Sequence, residues 1–159
     1  MPVHLPQPKQ LRDLFTELMD REVDLSPAAP YAPGPTTPAS IAVYVDDQLR
    51  ISAAIVCDLP FSAYAAAALG LVPVSGAEAA IDEGALTENL QENLYEVLNI
   101  AASVFNVGGA DHLRLHQLHP AGPPLDPATR MLALTLGRRE DLTVDIAGYG
   151  SGLLSVVLV

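Results

Sequence analysis

The stretch NLYEVLNIAASVFN, residues 93–106, forms most of the longest helix that the sequence predicts. When residues 86–106 are placed at about 100° steps, polar and apolar side chains separate onto opposite sides. The apolar side carries Leu86, Leu90, Leu94, Val97, Leu98, Ala101, Val104 and Phe105. The polar side carries Glu88, Glu92, Glu96, Asn99, Ser103 and Asn106. The pattern predicts a helix from residue 86 to about residue 107, ended by Gly108 and Gly109, with one buried and one exposed face.

Glu96 and Asn99 lie one turn apart on the polar side of this helix, so their side chains are neighbours. A solvated helix face ordinarily carries such residues, and periodicity alone favours that interpretation. The alternative is that the carboxylate and the carboxamide act together on another molecule.

The segments around this helix predict an α+β fold. Helical spacing covers residues 8–24, and a short helix over residues 60–71 is closed by Gly70. Residues 74–85 are interpreted as a loop or a frayed helical turn. Strand patterns occupy residues 40–47, 49–59, 112–120, 129–137, 141–149 and 152–159, with a turn at residues 46–48. The order predicts an antiparallel sheet of about six strands with helices packed on one face.

The length of 159 residues fits one domain, which we place at residues 1–159. Residues 26–40 hold five prolines and predict an irregular loop. This loop does not have the character of a domain linker, because the single helix before it could not form a core alone.

The charge composition of the chain limits the kinds of molecule that it can bind. The chain has 8 Lys and Arg residues against 19 Asp and Glu residues, a net charge of −11. This balance disfavours nucleic acid and anionic membranes and favours a protein partner with a positive or metal-loaded site. The N-terminus MPVHLPQPKQ lacks a signal-peptide pattern, and no apolar run is long enough to cross a membrane, so we expect a cytoplasmic protein. Cys57 is the only cysteine, and its place at the end of an apolar strand predicts a buried thiol.

The segment ENLYEVLNIAAS, residues 92–103, resembles the signature of the CheC/CheX/FliY phosphatase family. That signature has Asp or Ser, then Glu four residues later, then Asn three residues after the Glu. Glu96 and Asn99 stand at the Glu and Asn positions, and Pro120 fills the place of a proline that follows the Asn. Glu92 replaces the Asp or Ser, and Ser103 stands where the family usually has Gly. The order of elements is also similar, and a single copy of the motif makes CheX a nearer likeness than CheC, which carries two.

This resemblance implies a phosphatase that hydrolyses the aspartyl phosphate on the receiver domain of a CheY-type response regulator, in chemotaxis or related two-component signalling. The regulator would supply the Mg²⁺, an acidic pocket and a lysine, so the protein would need no cofactor of its own. Asn99 would position the attacking water and Glu96 would pair with the lysine of the regulator, with Glu92, Ser103 and Pro120 in support.

The sequence is also compatible with other functions. The same fold would also serve as a non-catalytic module that binds a receiver domain or another protein, or only for assembly. His112, His116 and His119 would align on a helix as a metal site, but the segment has a strand pattern in which His119 points away from the other two.

The resemblance to CheX also implies a homodimer. The final run GLLSVVLV, residues 152–159, contains no charged side chain. Such a strand is either interior to the sheet or covered by another chain, because an open apolar edge invites uncontrolled pairing.

Overall fold

Residues 2–159, which the computed structural model describes, form a six-stranded antiparallel sheet and five α-helices. The helices are α1 (Pro8–Met19), α2 (Leu59–Gly70), α3 (Val74–Glu83), α4 (Glu88–Ala101) and α5 (Pro127–Ala133). The strands are β1 (Val23–Pro27), β2 (Ala39–Val45), β3 (Ile51–Asp58), β4 (Arg114–His119), β5 (Arg139–Ile146) and β6 (Gly150–Leu158). The predicted α+β class and the antiparallel sheet of about six strands are confirmed.

The sheet has the strand order β1-β5-β6-β3-β2-β4, so β6 is interior and pairs with both β5 and β3. Of the two possibilities for the uncharged final run, burial within the sheet is therefore the one observed. A strand that is paired on both edges and covered on both faces needs no charge. The apolar composition of β6 consequently gives no independent reason to expect a dimer.

Alternate residues of the central strands point into two apolar layers. One face of the sheet meets α1, α2 and α4 in the main core, whose largest fully buried side chains include Tyr44, Phe15, Phe61 and Phe105. The opposite face is smaller, and it packs Ile41, Val56 and Val157 against α5 and the proline-rich loop. The sheet thus places α4 on the outside of the main layer, with its far side open to solvent.

Two predictions for the chain before α4 differ from the structure. The helix predicted over residues 8–24 ends at Met19, because Asp20 adopts a left-handed conformation with φ of 51°. Residues 23–27 then form the edge strand β1, which pairs with β5. Residues 74–85, interpreted as a loop or frayed turn, contain the ten-residue helix α3. Burial of Ala77 and Ala80 against α2 stabilises it, which short-range sequence patterns do not reveal.

The strand predicted over residues 129–137 is wrong, since Pro127–Ala133 is the helix α5. The start signal lies just upstream, where the Asp126 side chain accepts hydrogen bonds from the Thr129 backbone N–H (3.2 Å) and hydroxyl (2.6 Å) and Pro127 occupies the first turn. At the other end, Arg139 donates to the carbonyls of Ala133 (3.1 Å) and Thr135 (2.8 Å). These end contacts hold a helix whose alternating sequence, MLALTLG, otherwise favours a strand.

The proline-rich segment runs between β1 and β2 as an irregular loop on the second face of the sheet. Gly34 and Thr37 form an isolated backbone pair, and the Tyr31 hydroxyl donates to the carbonyls of Thr37 (2.8 Å) and Pro38 (3.0 Å). The first two and last two residues of the predicted 26–40 span belong to β1 and β2. Within residues 2–159, no helix combines the length and apolarity that a membrane crossing requires.

Candidate functional site

Helix α4 is fixed in rotation by contacts at both ends. The Thr87 side chain caps its start by accepting a hydrogen bond from the Leu90 backbone N–H at 3.2 Å. Farther along, the buried Tyr44 hydroxyl of β2 donates to the carbonyl of Leu98 at 2.6 Å. All eight apolar residues predicted for the buried side, from Leu86 to Phe105, are buried. The opposite side of the helix is therefore presented to solvent in one defined orientation.

The exposed side of α4 carries the residues of the predicted signature. Glu92, Glu96 and Asn99 are all exposed, and Ser103 is exposed in the turn that follows the helix. No hydrogen bond or ion pair joins the side chain of Glu96 or Asn99 to another of the described residues 2–159. The carboxylate and the carboxamide are therefore both available to a second molecule. We call Glu92, Glu96, Asn99 and Ser103 the α4 face.

The helix ends earlier than predicted. Regular α-helix stops at Ala101, and Ala102–Val104 form a 3₁₀ turn in place of a continuation to about residue 107. The Ala102 backbone N–H donates to the carbonyl of Asn99, a shortened bond that tightens the last turn. Asn106, predicted on the polar side, instead bonds the backbone N–H and carbonyl of Leu113 at 2.8 and 3.0 Å. Its amide is occupied in holding the loop before β4, so Asn106 is not part of the α4 face.

Pro120 lies beside the α4 face. It follows β4, is half-buried, and lines a shallow depression of about 340 Å³ together with Gln91, Glu92, Tyr95 and Leu118. The structure thus brings together Glu92 and Pro120, two of the three residues assigned a supporting role. Glu96 and Asn99 do not line this depression.

Tyr95 is a residue that sequence reasoning missed. Tyr95 is 44% exposed, so its ring is accessible to a second molecule. It stands about 60° around the helix from Glu92, at the margin of the polar side. A large amphipathic ring at the edge of an otherwise charged face was the available signal, since tyrosine is enriched at protein interfaces.

The other residues considered from the sequence are the histidines near β4 and Cys57. Across the described residues 2–159, no set of three or more His, Cys, Asp or Glu side chains is placed to hold a metal ion. His112 lies before β4 with its Nδ1 atom 3.9 Å from Asp47 Oδ1, whereas His116 and His119 lie in the strand. Cys57 is fully buried at the end of β3, and burial raises the pKa of its thiol well above the usual range. The buried thiol predicted from the sequence is confirmed.

The two sides of α4 predict different responses to truncation. We expect Leu94→Ala to lower the free energy of unfolding by about 2–4 kcal/mol, because Leu94 is fully buried and its removal leaves a cavity. We expect Glu96→Ala to change it by less than about 0.5 kcal/mol, because Glu96 is exposed and has no partner within residues 2–159. Urea melts of the two variants measure this difference, and equal losses would contradict the assigned rotation of the helix.

Comparison with known proteins identifies solved structures that have a similar fold. No family model matches the sequence, and no curated protein matches it. Among solved structures, the FliM middle domain from H. pylori matches with a TM-score of 0.54 at 12% identity, over 94% of this chain and 83% of that chain. The FliM middle domain from Vibrio alginolyticus matches with a TM-score of 0.59 at 10% identity, over 94% of this chain and 86% of that chain. The FliM–SpeE complex from H. pylori matches with a TM-score of 0.61 at 9% identity, over 94% of this chain and 80% of that chain.

Identities this low establish the fold alone. The FliM middle domains therefore support the predicted α+β fold, and they do not test the resemblance to CheX that residues 92–103 carry. The chain has the fold of a FliM middle domain.

Proposed function

We propose that the protein is a phosphatase for the aspartyl phosphate of a response-regulator receiver domain, and that the α4 face is its working surface. One observation carries the proposal. Glu96 and Asn99 lie one turn apart on the solvent side of a rigidly held helix, and neither side chain has a partner within residues 2–159. Residues that act inside the pocket of another protein have to be exposed and unpaired in this way.

Asn99 has the chemistry to position a water molecule. An acyl phosphate is already activated, so the catalyst mainly has to hold water in line with the phosphorus atom. A carboxamide accepts a hydrogen bond from the water through its oxygen and donates another through its nitrogen. It also stays uncharged, so it is not repelled by the phosphoryl group. In this scheme the regulator would supply the Mg²⁺ that neutralises the charge of the phosphate.

Glu96 has the chemistry to fix the docking angle. Its carboxylate would pair with the lysine of the receiver pocket through a charge-assisted hydrogen bond. The net charge of −11 favours approach to a site that presents a cation. Glu92 and Pro120 border the neighbouring depression, where they would contact the flank of the regulator beside Tyr95. Ser103 would border the other end of the face.

The resemblance to CheX extends the proposal to a homodimer. The chemistry does not depend on it, because each chain carries its own Glu96 and Asn99. Light scattering over a dilution series measures the mass in solution. A monomer at every concentration would contradict the homodimer and would leave the proposal for Glu96 and Asn99 unchanged.

A non-catalytic module that binds a receiver domain is the second candidate, and two observations favour it. Glu92 is longer than the Asp or Ser of the signature, and Tyr95 with its adjoining depression offers binding area that hydrolysis does not require. The FliM chain of the FliM–SpeE complex is also an example of this fold in a complex with another protein.

The test is the decay of a phosphorylated receiver domain, beginning with one encoded near this protein. Faster loss of phosphate than in the receiver alone supports the phosphatase. Association that depends on phosphorylation, without faster decay, supports the binding module. If neither is found for any cognate receiver, both proposals fail.

A further inference from the structure

A groove of about 390 Å³ opens on the second face of the sheet, away from α4. Two proline-containing loops form its walls, one before β2 and one before α5. We call it the proline groove, and its principal lining residues are Pro35, Pro38, Pro123, Pro124, Leu125 and Arg130. It shares no residue with the α4 face or with the depression beside Pro120.

Both walls of the proline groove are held in place. On one side, Tyr31 bonds the carbonyls of Thr37 and Pro38, and the Thr37 hydroxyl donates to the carbonyl of Ala32 at 3.1 Å. On the other, the Ala121 backbone N–H donates to the buried hydroxyl of Ser40 at 3.0 Å. Each proline ring also fixes its own φ angle. The groove is consequently preformed, and a ligand would lose little affinity to ordering of the loops.

Arg130 is the single charged residue in the lining of this groove. Within residues 2–159, no hydrogen bond or ion pair engages its guanidinium, whereas Arg50 and Arg139 are paired with Asp46 and Asp141. The nearest acidic residue along the chain, Asp126, is occupied by Thr129. In a chain with a net charge of −11, this unpaired cation at an apolar groove is available to bind an anion.

We propose that the proline groove binds a small organic carboxylate with an aromatic or apolar body. The body would lie against the proline rings and Leu125, and the carboxylate would bond Arg130 in the bidentate manner that guanidinium favours. The volume lies in the range of about 300–1,000 Å³ that small-molecule pockets occupy. The strongly negative chain disfavours polyanions such as nucleotides, so a single carboxylate is the better match.

The test is titration with phenylacetate and indole-3-acetate, followed by the backbone amide signals in ¹⁵N NMR spectra. The expected result is that the amides of Ala39, Gly122 and Leu125 shift together. Arg130→Gln should weaken binding about tenfold or more, because a hydrogen bond to a charged group is lost. The uncharged probe phenylacetamide should bind the unmodified protein about tenfold more weakly than phenylacetate.

Arg114→Gln is the matched control. Arg114 is also exposed, and within residues 2–159 no hydrogen bond or ion pair engages its guanidinium. It lies on β4 outside the groove, so the variant should bind phenylacetate like the unmodified protein. Equal affinity in Arg130→Gln, shifts outside the groove, or no binding of either carboxylate at millimolar concentration would overturn the proposal. None of these outcomes bears on phosphatase activity, because Arg130 and the α4 face belong to separate surfaces.

Discussion

Asn99→Ala is expected to reduce the rate at which the protein dephosphorylates a receiver domain by about 100-fold or more, with little change in the concentration of receiver that gives half-maximal rate. The carboxamide is the group that would hold water in line with the phosphorus, and loss of one well-placed polar group in such a step costs about 100-fold to 1,000-fold. The side chain makes no contact that maintains the fold, since it is exposed and unpaired within residues 2–159. The measurement is the decay of phosphorylated receiver over a range of receiver concentrations.

Asn89→Ala is the control for this prediction. Asn89 is also an exposed asparagine of α4, but it lies ten residues earlier, or about 15 Å along the helix axis. It should retain the full rate, and both variants should melt like the unmodified protein. Glu96→Ala should behave differently from Asn99→Ala, raising the half-maximal receiver concentration because docking is weakened. Full activity in Asn99→Ala would remove the proposed mechanism even if the protein proved to be a phosphatase.

The α4 face was predictable from sequence because one strong period governs the segment. Leu90, Leu94, Val97, Leu98 and Ala101 recur at helical spacing, and this pattern alone determines which side faces solvent. The end of the helix was less predictable, because residues 102–107 continue the same polarity pattern. The 3₁₀ turn at Ala102–Val104 and the bonds from Asn106 to Leu113 depend on where β4 lies, which is tertiary information.

The elements that sequence analysis missed are those whose stability comes from packing. Helix α3 is short and depends on the contact of Ala77 and Ala80 with α2. The segment of α5 was predicted as a strand because its apolar residues alternate, although Asp126 and Pro127 provide a helix start signal. The proline groove was also unpredictable, because its walls are about 90 residues apart in the chain and meet only in the folded protein. The proline content of residues 26–40 predicted an irregular loop, but it could not predict which other loop lies opposite.

Helix α2 approaches the sheet closely at Gly152 of β6. A Cβ atom built there would lie 2.6 Å from both Cα and Cβ of Phe61 and nearer still to its backbone nitrogen. Phe61 belongs to the first turn of α2 and is fully buried, and its N–H donates to Asp58 at 2.8 Å. The obstructing atoms are therefore mainly backbone of a capped, packed helix. No rotation of a side chain can relieve the contact.

We expect Gly152→Ala to lower the free energy of unfolding by about 3 kcal/mol or more, because α2 has to move away from β6 to admit the methyl group. Replacing glycine within a strand gains about 0.5–1 kcal/mol from the reduced freedom of the unfolded chain, which is too little to compensate. Urea unfolding followed by circular dichroism measures the loss. Gly108→Ala is the matched control, since no atom lies within 4 Å of a Cβ built at that position, and it should change stability by less than about 0.5 kcal/mol. If Gly152→Ala costs less than about 1 kcal/mol, α2 does not lie against β6 as closely as described. In that case the packing that supports α4 through α2 would need revision as well.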